Sequence, residues 1–202
     1  MVLFLQHPQE MKKVLLLSFS AIAAATILVA CSSASRSLHT EKQVNLQHIN
    51  KVIYLNPEIE PDVEEIKDAT YSAFFSAVSD EIKEKSSHKM LRINNTLKYD
   101  SIDQNTIREF CVNNDSQLLV VPKVKYFKVG FGKYVFSNQV LVSLKLYDSE
   151  GNFVMETSYD TYRGKGRLLG NTENSIKIGT KQAMELMNKG LRTQNKANHN
   201  PT

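Results

Sequence analysis

Two thiols, five histidines and a cluster of lysines and aromatics are the side chains of this 202-residue chain whose types and spacing bear on chemistry. The histidines (His7, His39, His48, His88, His199) are scattered, and none makes a metal-spaced pair with another His or a Cys. "GKGRLLGN" (Gly164–Asn171) sits where a phosphate loop would, between a strand and a helix. Its glycine spacing does not fit GxGxxG and no Gly-Lys-Ser/Thr follows, so it reads as a connection. "VGFGKYVF" (Val129–Phe136) approaches an RNA-recognition pattern, but Lys133 interrupts the aromatic positions and a glycine-bearing hairpin turn is expected. "YDSEGN" (Tyr147–Asn152) is far shorter than a calcium loop. Ser72, Ser76, Ser79 and Ser143 lack a nucleophile elbow, and Glu64-Glu65 and Asp80-Glu81 read as solvated helix faces. The expectation is a protein that is not an enzyme, with no cofactor and no metal.

Cys31 has a context of its own. It closes "MKKVLLLSFSAIAAATILVAC", in which Lys12 and Lys13 precede an apolar run from Val14 to Ala30. Basic head, apolar middle and small residues at the end make a secretory signal. The run is also close to the length that spans a bilayer, so a retained signal anchor is the alternative. Leu28-Val29-Ala30-Cys31, followed by Ser32 and Ser33, resembles the lipobox of bacterial lipoproteins. That resemblance covers the leader alone. It implies a signal peptide over 11–30 and acyl chains on Cys31, which becomes the first mature residue. Residues 1–10 fit no part of a signal, and Met11 is the expected start. By lipoprotein sorting rules, Ser32 in place of Asp implies the outer membrane, and the lack of an acidic run implies its periplasmic leaflet. With Cys31 acylated, Cys111 has no thiol to pair with, and it reads as a small buried hydrophobe in a helix.

The net charge is +4. Removing residues 1–30 removes Lys12, Lys13 and Glu10 and leaves +3, too mild to imply nucleic acid. Residues 31–50 are polar and are expected to form a flexible tether. Residues 51–192 suffice for a single domain, and 193–202 read as a disordered tail.

The elements within that domain follow from periodicity. "KVIYL" (Lys51–Leu55) reads as a strand. From Pro61, the residues Val63, Ile66, Thr70, Ala73, Phe74, Ala77, Val78 and Ile82 recur at helical steps. "KMLRINNTLKY" suggests a second strand, and Ser101 with Gln104 suggests a capping box for a helix carrying Ile102, Ile107, Phe110 and Cys111. "QLLVVPKVKYFKV" alternates, with Pro122 favouring an edge or a strand end. "YVFSNQVLVSLKLYD" and "NFVMETSYDTYRG" complete consecutive hairpins, and a last helix presents Ile176, Thr180, Ala183, Met184, Met187 and Leu191. The order β-α-β-α-β-β-β-α predicts an α+β fold, a mixed sheet of about five strands with helices packed mainly on one face.

Asp115, Leu118-Leu119-Val120, Leu146, Asp148 and Gly151 carry a second resemblance, to a periplasmic fold group. The group comprises the curli-secretion lipoprotein, the penicillin-binding-protein activator lipoproteins and the amino-terminal domain of the Tol–Pal propeller protein. The pattern spans roughly Lys51 to Arg192. It departs from the group at Pro122-Lys123, where a glycine is common, and in the short chain length.

One surface feature remains. Lys123, Lys125, Lys128 and Lys133 interleave with Tyr126, Phe127, Phe131 and Tyr134 around one hairpin. Either the lysines guard an edge strand, or Lys123, Lys125, Tyr126, Phe127, Lys128, Phe131 and Lys133 form a docking surface for a partner. The expected function is a non-enzymatic, lipid-anchored envelope adaptor that binds other envelope proteins, with self-assembly open. A subunit of an oligomeric outer-membrane secretion pore is the alternative. A hydrolase or small-ligand carrier is a third reading, and would need a pocket with convergent polar groups.

Overall fold

The computed structural model describes residues 34–37, 49–85, 88–128, 136–162 and 171–199, all within one compact unit, Ser33–Thr202. The strands are β1 (Ala34–Ser37), β2 (Lys51–Leu55), β3 (Glu58–Glu60), β4 (Lys89–Ile93), β5 (Leu118–Lys128), β6 (Phe136–Asp148) and β7 (Phe153–Asp160). The α-helices are α1 (Lys67–Lys85), α2 (Gln104–Asn113) and α3 (Thr172–His199), with a 3-10 turn at Glu64–Ile66 before α1. The seven strands form one sheet in the order β1-β7-β6-β5-β2-β4, with β3 pairing β5 beyond the end of β2. The α+β class with a mixed sheet is as the periodicity predicts.

The connections dictate where the helices go. β2 pairs in parallel with both β4 and β5, so the chain must cross over twice. It moves from β2 to β4 through α1, then back past β2 to β5 through α2. Right-handed crossovers in opposite directions place their helices on opposite faces. Alternating side chains serve both. Val52, Tyr54, Leu118, Val120 and Val124 pack with Phe74 and Val78 of α1 and Ile176, Ala183 and Met184 of α3. Ile53, Leu55, Leu119 and Val121 pack with Ile107 and Cys111 of α2. Two helices thus share one face and the shorter α2 takes the other. Fully burying a side chain such as Phe74 contributes roughly 1.5–3 kcal/mol, so both faces hold the sheet.

Register is fixed by side chains as well as by ladders. The Gln117 Oε1 accepts from the backbone N–H groups of Asn50 and Lys51, each at 3.0 Å, at the start of β2. At the far end of β6, the Thr161 hydroxyl donates to the Val140 carbonyl and accepts from its N–H, both at 2.8 Å. Gly151 in the β6–β7 turn has φ +84°, and a Cβ there would collide with the Gln104 backbone. Asp148 holds that turn by accepting from the Glu150 and Asn152 N–H groups at 2.9 and 2.8 Å. The Asp148 and Gly151 of the second resemblance are therefore turn-makers here.

Five expectations need correction. Pro122 does not mark an edge: β5 is central, and Pro122 lies opposite the break between β2, which pairs as far as Val120, and β3, which resumes at Lys123. Its missing donor falls where the ladder is already interrupted. Residues 34–37 do not belong to a tether; they form β1, antiparallel to β7 through main-chain pairing that needs no apolar pattern. The second strand stops at Ile93, short of Tyr99. The α2 cap is Asp103, whose carboxylate accepts from the Thr106 N–H at 2.9 Å, two residues past the expected Ser101. α3 continues to His199 through what reads as a tail, since no Gly or Pro intervenes between Leu191 and His199.

Candidate functional site

The described members of the candidate docking set lie on two sides of β5. Tyr126 is buried on the helix-bearing side, where its hydroxyl hydrogen-bonds that of Thr70. Lys123, Lys125 and Phe127 alternate onto the opposite side of β5, the side that α2 covers only in part. Lys128 ends β5; its side chain, like Cys31, Phe131 and Lys133, lies outside the described residues.

On that open side the sheet carries a charged network centred on Tyr99. Lys123 Nζ lies 3.1 Å from Asp100 and 3.3 Å from Glu60, and Lys125 Nζ lies 2.9 Å from Glu60. Lys145 donates to the Tyr99 carbonyl at 2.7 Å and lies 4.2 Å above the Tyr99 ring. The Tyr99 hydroxyl donates to Glu156 at 3.0 Å, and its backbone N–H donates to Glu58 at 2.8 Å. The segment between β4 and α2 is thereby strapped across β3, β5, β6 and β7. The lysines set the protonation of their partners. The hydrogen bond from Lys125 is the main cause holding the Glu60 carboxyl below the usual range, helped by Lys123. Lys123 does the same for Asp100. Burial alone would lower Lys123, but its bonds to Asp100 and Glu60 outweigh that and hold it high. Burial, then the Glu156 charge, pushes the Tyr99 phenol up, so it stays a neutral donor. Lys123 and Lys125 thus belong to a central strand and are occupied by acids, which removes the reading of edge protection.

Two further groups bear on chemistry. Glu81 is fully buried, where the sequence suggests a solvated face. Its carboxylate lies 3.3 Å from Lys85 Nζ, which is 2.6 Å from Glu185 of α3, and both of its oxygens lack a hydrogen-bond partner among the described residues. The Tyr54 hydroxyl is likewise buried without a partner, and burial followed by the Glu81 charge pushes its pKa up. Cys111 is a buried free thiol, pushed up to about 11 by burial and then by Asp148, as inert as the sequence predicts.

A cleft of about 250 Å³ opens beside β3, lined by Pro57, Glu58, Ile59, Asp62, Lys67, Tyr71 and residues 96–98. Lys67 is held there by Asp62 at 2.9 Å and Glu64 at 2.7 Å, and Lys98 lies 3.5 Å from Glu58. Its charges are thus mutually compensated. Among the described residues no group of three or more His, Cys, Asp or Glu could hold a metal ion, and no helix is long and apolar enough to cross a membrane.

No protein family and no curated protein matches the chain. Solved structures with some likeness include the PelC dodecamer from Paraburkholderia phytofirmans. It is 10% identical, with a TM-score of 0.46, over 76% of this chain and 96% of that one. Another is the lipoprotein GNA1162 from Neisseria meningitidis, 11% identical with a TM-score of 0.36, over 60% of this chain and 90% of that one. Superpositions this loose carry no residue role and no activity over to this chain.

The sequence reading missed Tyr99, Glu60, Asp100 and Glu156 because the network joins residues far apart in the chain. Glu81 could have been found: it lies three residues after Val78 and one before Ile82, inside the apolar stripe of α1.

Proposed function

We propose that this protein is a non-enzymatic lipoprotein of the cell envelope, anchored through Cys31 to the periplasmic leaflet of the outer membrane, whose α+β domain binds other envelope proteins. The observation that carries this reading is Leu28-Val29-Ala30-Cys31 at the end of an apolar leader, three residues before the folded sheet starts at Ala34. An anchor so close to a folded domain raises the effective concentration of that domain for partners on the same membrane. The docking surface in this reading is the open side of the sheet around Lys123, Lys125 and Tyr99. Their charges would set partner choice and encounter rate.

Two measurements test it. Mass spectrometry of the mature amino terminus should find acyl chains on Cys31; an unacylated terminus at another residue would refute the anchor. Crosslinking of intact membranes followed by affinity capture should yield a defined envelope protein whose recovery falls when Lys125 is replaced by Glu. Native mass analysis of the detergent-extracted protein separates this reading from a pore. A discrete ring of many copies would replace the adaptor with a secretion-pore subunit.

A further inference from the structure

We propose that the cleft beside β3 receives an arginine side chain from a partner protein. The inference deepens the proposed function by naming the chemistry of the partner, and it rests on the reading of the domain as a protein binder. The cleft holds about 250 Å³, less than the roughly 300–1,000 Å³ of small-molecule pockets, so it admits one side chain and not a whole ligand. Three elements build it. β3 pairs with β5 alone, and Pro57, Glu58 and Ile59 line the cleft together with Lys67 and Tyr71 of α1 and with residues 96–98 of the strapped segment.

The lining suits a long side chain with a cationic head. Buried Ile59 and half-buried Leu97 give apolar contact to the methylenes, and the Tyr71 ring gives the cation something to stack on. Glu58 supplies the acceptor. Its Oε2 takes the Tyr99 N–H at 2.8 Å, while its Oε1 accepts no hydrogen bond among the described residues. The cation beside Oε1 is Lys98, at 3.5 Å and 79% exposed. A carboxylate has about four lone-pair sites, so Glu58 can still accept a bidentate donor. Within the lining, Glu58 and Asp62 balance Lys67 and Lys98. Just outside it the balance tips. Lys67 also holds Glu64, and Glu65 and Asp68, exposed on the turn and helix start that carry Lys67, have no ion-pair partner among the described residues. The field at the mouth therefore favours a cation. Arginine fits better than lysine because its planar guanidinium lies on a ring while its fork meets a carboxylate, and it is less strongly hydrated. Arginine is also among the residues that carry most of the energy when buried in such interface pockets.

The test is an NMR titration of the full chain in detergent micelles with acetyl-Ala-Arg-Ala-amide, and with the same peptide carrying citrulline, lysine or tyrosine in place of arginine. The arginine peptide should give saturable shifts at the amides of Ile59, Tyr71 and Leu97 and none at Val112 on α2. It should bind several-fold more tightly than the citrulline peptide, which has the same shape and no charge. Glu58→Gln keeps an acceptor for the Tyr99 N–H, and it should weaken the arginine peptide several-fold, as should Tyr71→Leu. Asp62→Asn, at an exposed position away from the strap, should weaken it in the same direction and serves if either of the others lowers the melting midpoint. Equal binding of the arginine and citrulline peptides, saturable shifts confined to other parts of the domain, or no saturable shift would each overturn the inference. So would folded variants that bind like wild type. A lysine peptide that binds as tightly would remove the assignment to arginine, and a tyrosine peptide that binds more tightly would give the cleft to an aromatic side chain. Neither the anchor nor a captured partner enters these titrations, so their failure overturns the role of the cleft and not the lipoprotein reading, which fails on its own measurements.

Discussion

Tyr99 donates its hydroxyl proton to Glu156, 57 residues further along the chain, at 3.0 Å. Its ring lies beneath Lys145 and its backbone N–H reaches Glu58, so a single residue ties the segment before α2 to three strands. A hydrogen bond to a charged acceptor contributes about 1.5–3 kcal/mol. Tyr99→Phe should keep the ring and lose about that much, and Tyr99→Ala should lose more, about 3–5 kcal/mol. Urea unfolding of the two variants checks this. Equal losses would mean that the ring contributes nothing.

Stability should fall in acid, for a reason that can be traced to Glu60 and Asp100. Both carboxyls are depressed in the folded protein, by Lys125 and Lys123 respectively. Depressed acids stabilise the fold above their unfolded pKa, and that contribution is lost as pH falls through the folded values. The loss should begin below about pH 5. Because both acids are partly exposed, it should be modest and should shrink in high salt. Lys123→Met with Lys125→Met should flatten the acid limb of a midpoint-against-pH plot. An unchanged limb would show that other carboxylates govern it.

Charge reversal at Lys123 should not be the neutral surface change that sequence alternation implies. The side chain is only 19% exposed, and a glutamate there would face Glu60 and Asp100. Lys123→Glu should cost about 1–3 kcal/mol, whereas Lys125→Ala, at a more exposed position, should cost about 0–1 kcal/mol. Thermal melts of the two single variants would decide. Any partner-capture experiment should therefore use changes at Lys125.

Glu81 and Lys85 should respond in opposite directions. Among the described residues Glu81 is buried with no hydrogen-bond partner and with Lys85 Nζ 3.3 Å away, and Lys85 keeps Glu185 when Glu81 is removed. Removing one partner of a buried pair is costly when it leaves the other charge buried and unpaired; Lys85 is partly exposed and keeps Glu185, so Glu81→Met should not lower the midpoint. Lys85→Ala strands the carboxylate and should cost about 3 kcal/mol. If Glu81→Met is the more damaging variant, the carboxylate has an unrecognised role in the fold.

The helices and the long strands were legible because their apolar periods are strong: Thr70 to Ile82 at helical steps, and Val140 to Leu146 on alternate residues. β1 and β3 were not, because strands of four and three residues pair through their main chains and leave little side-chain pattern. Pro122 misled because its local rule is sound, yet the interruption that tolerates it lies between two other strands. Of the candidate site, the lysines were legible by type. Their acids were not, since Glu60 and Asp100 meet Lys123 only through β3 pairing with β5 and the strap at Tyr99.

β2 lies between β5 and β4, and both of these come later in the chain. One side of β2 waits for residues 89–93 and the other for residues from Leu118 onward, whereas β5, β6 and β7 join neighbours in sequence through tight antiparallel registers. Contacts that close short loops form first, and distant parallel pairing comes late. The carboxyl-terminal meander is therefore expected to nucleate folding, with the amino-terminal strand docking onto a template already made. Pulse-labelled hydrogen exchange should find the amides of Val142 and Leu144 protected before those of Ile53 and Tyr54. In the lipoprotein reading proposed above, that order would keep β2 unpaired until the rest of the chain has crossed the membrane.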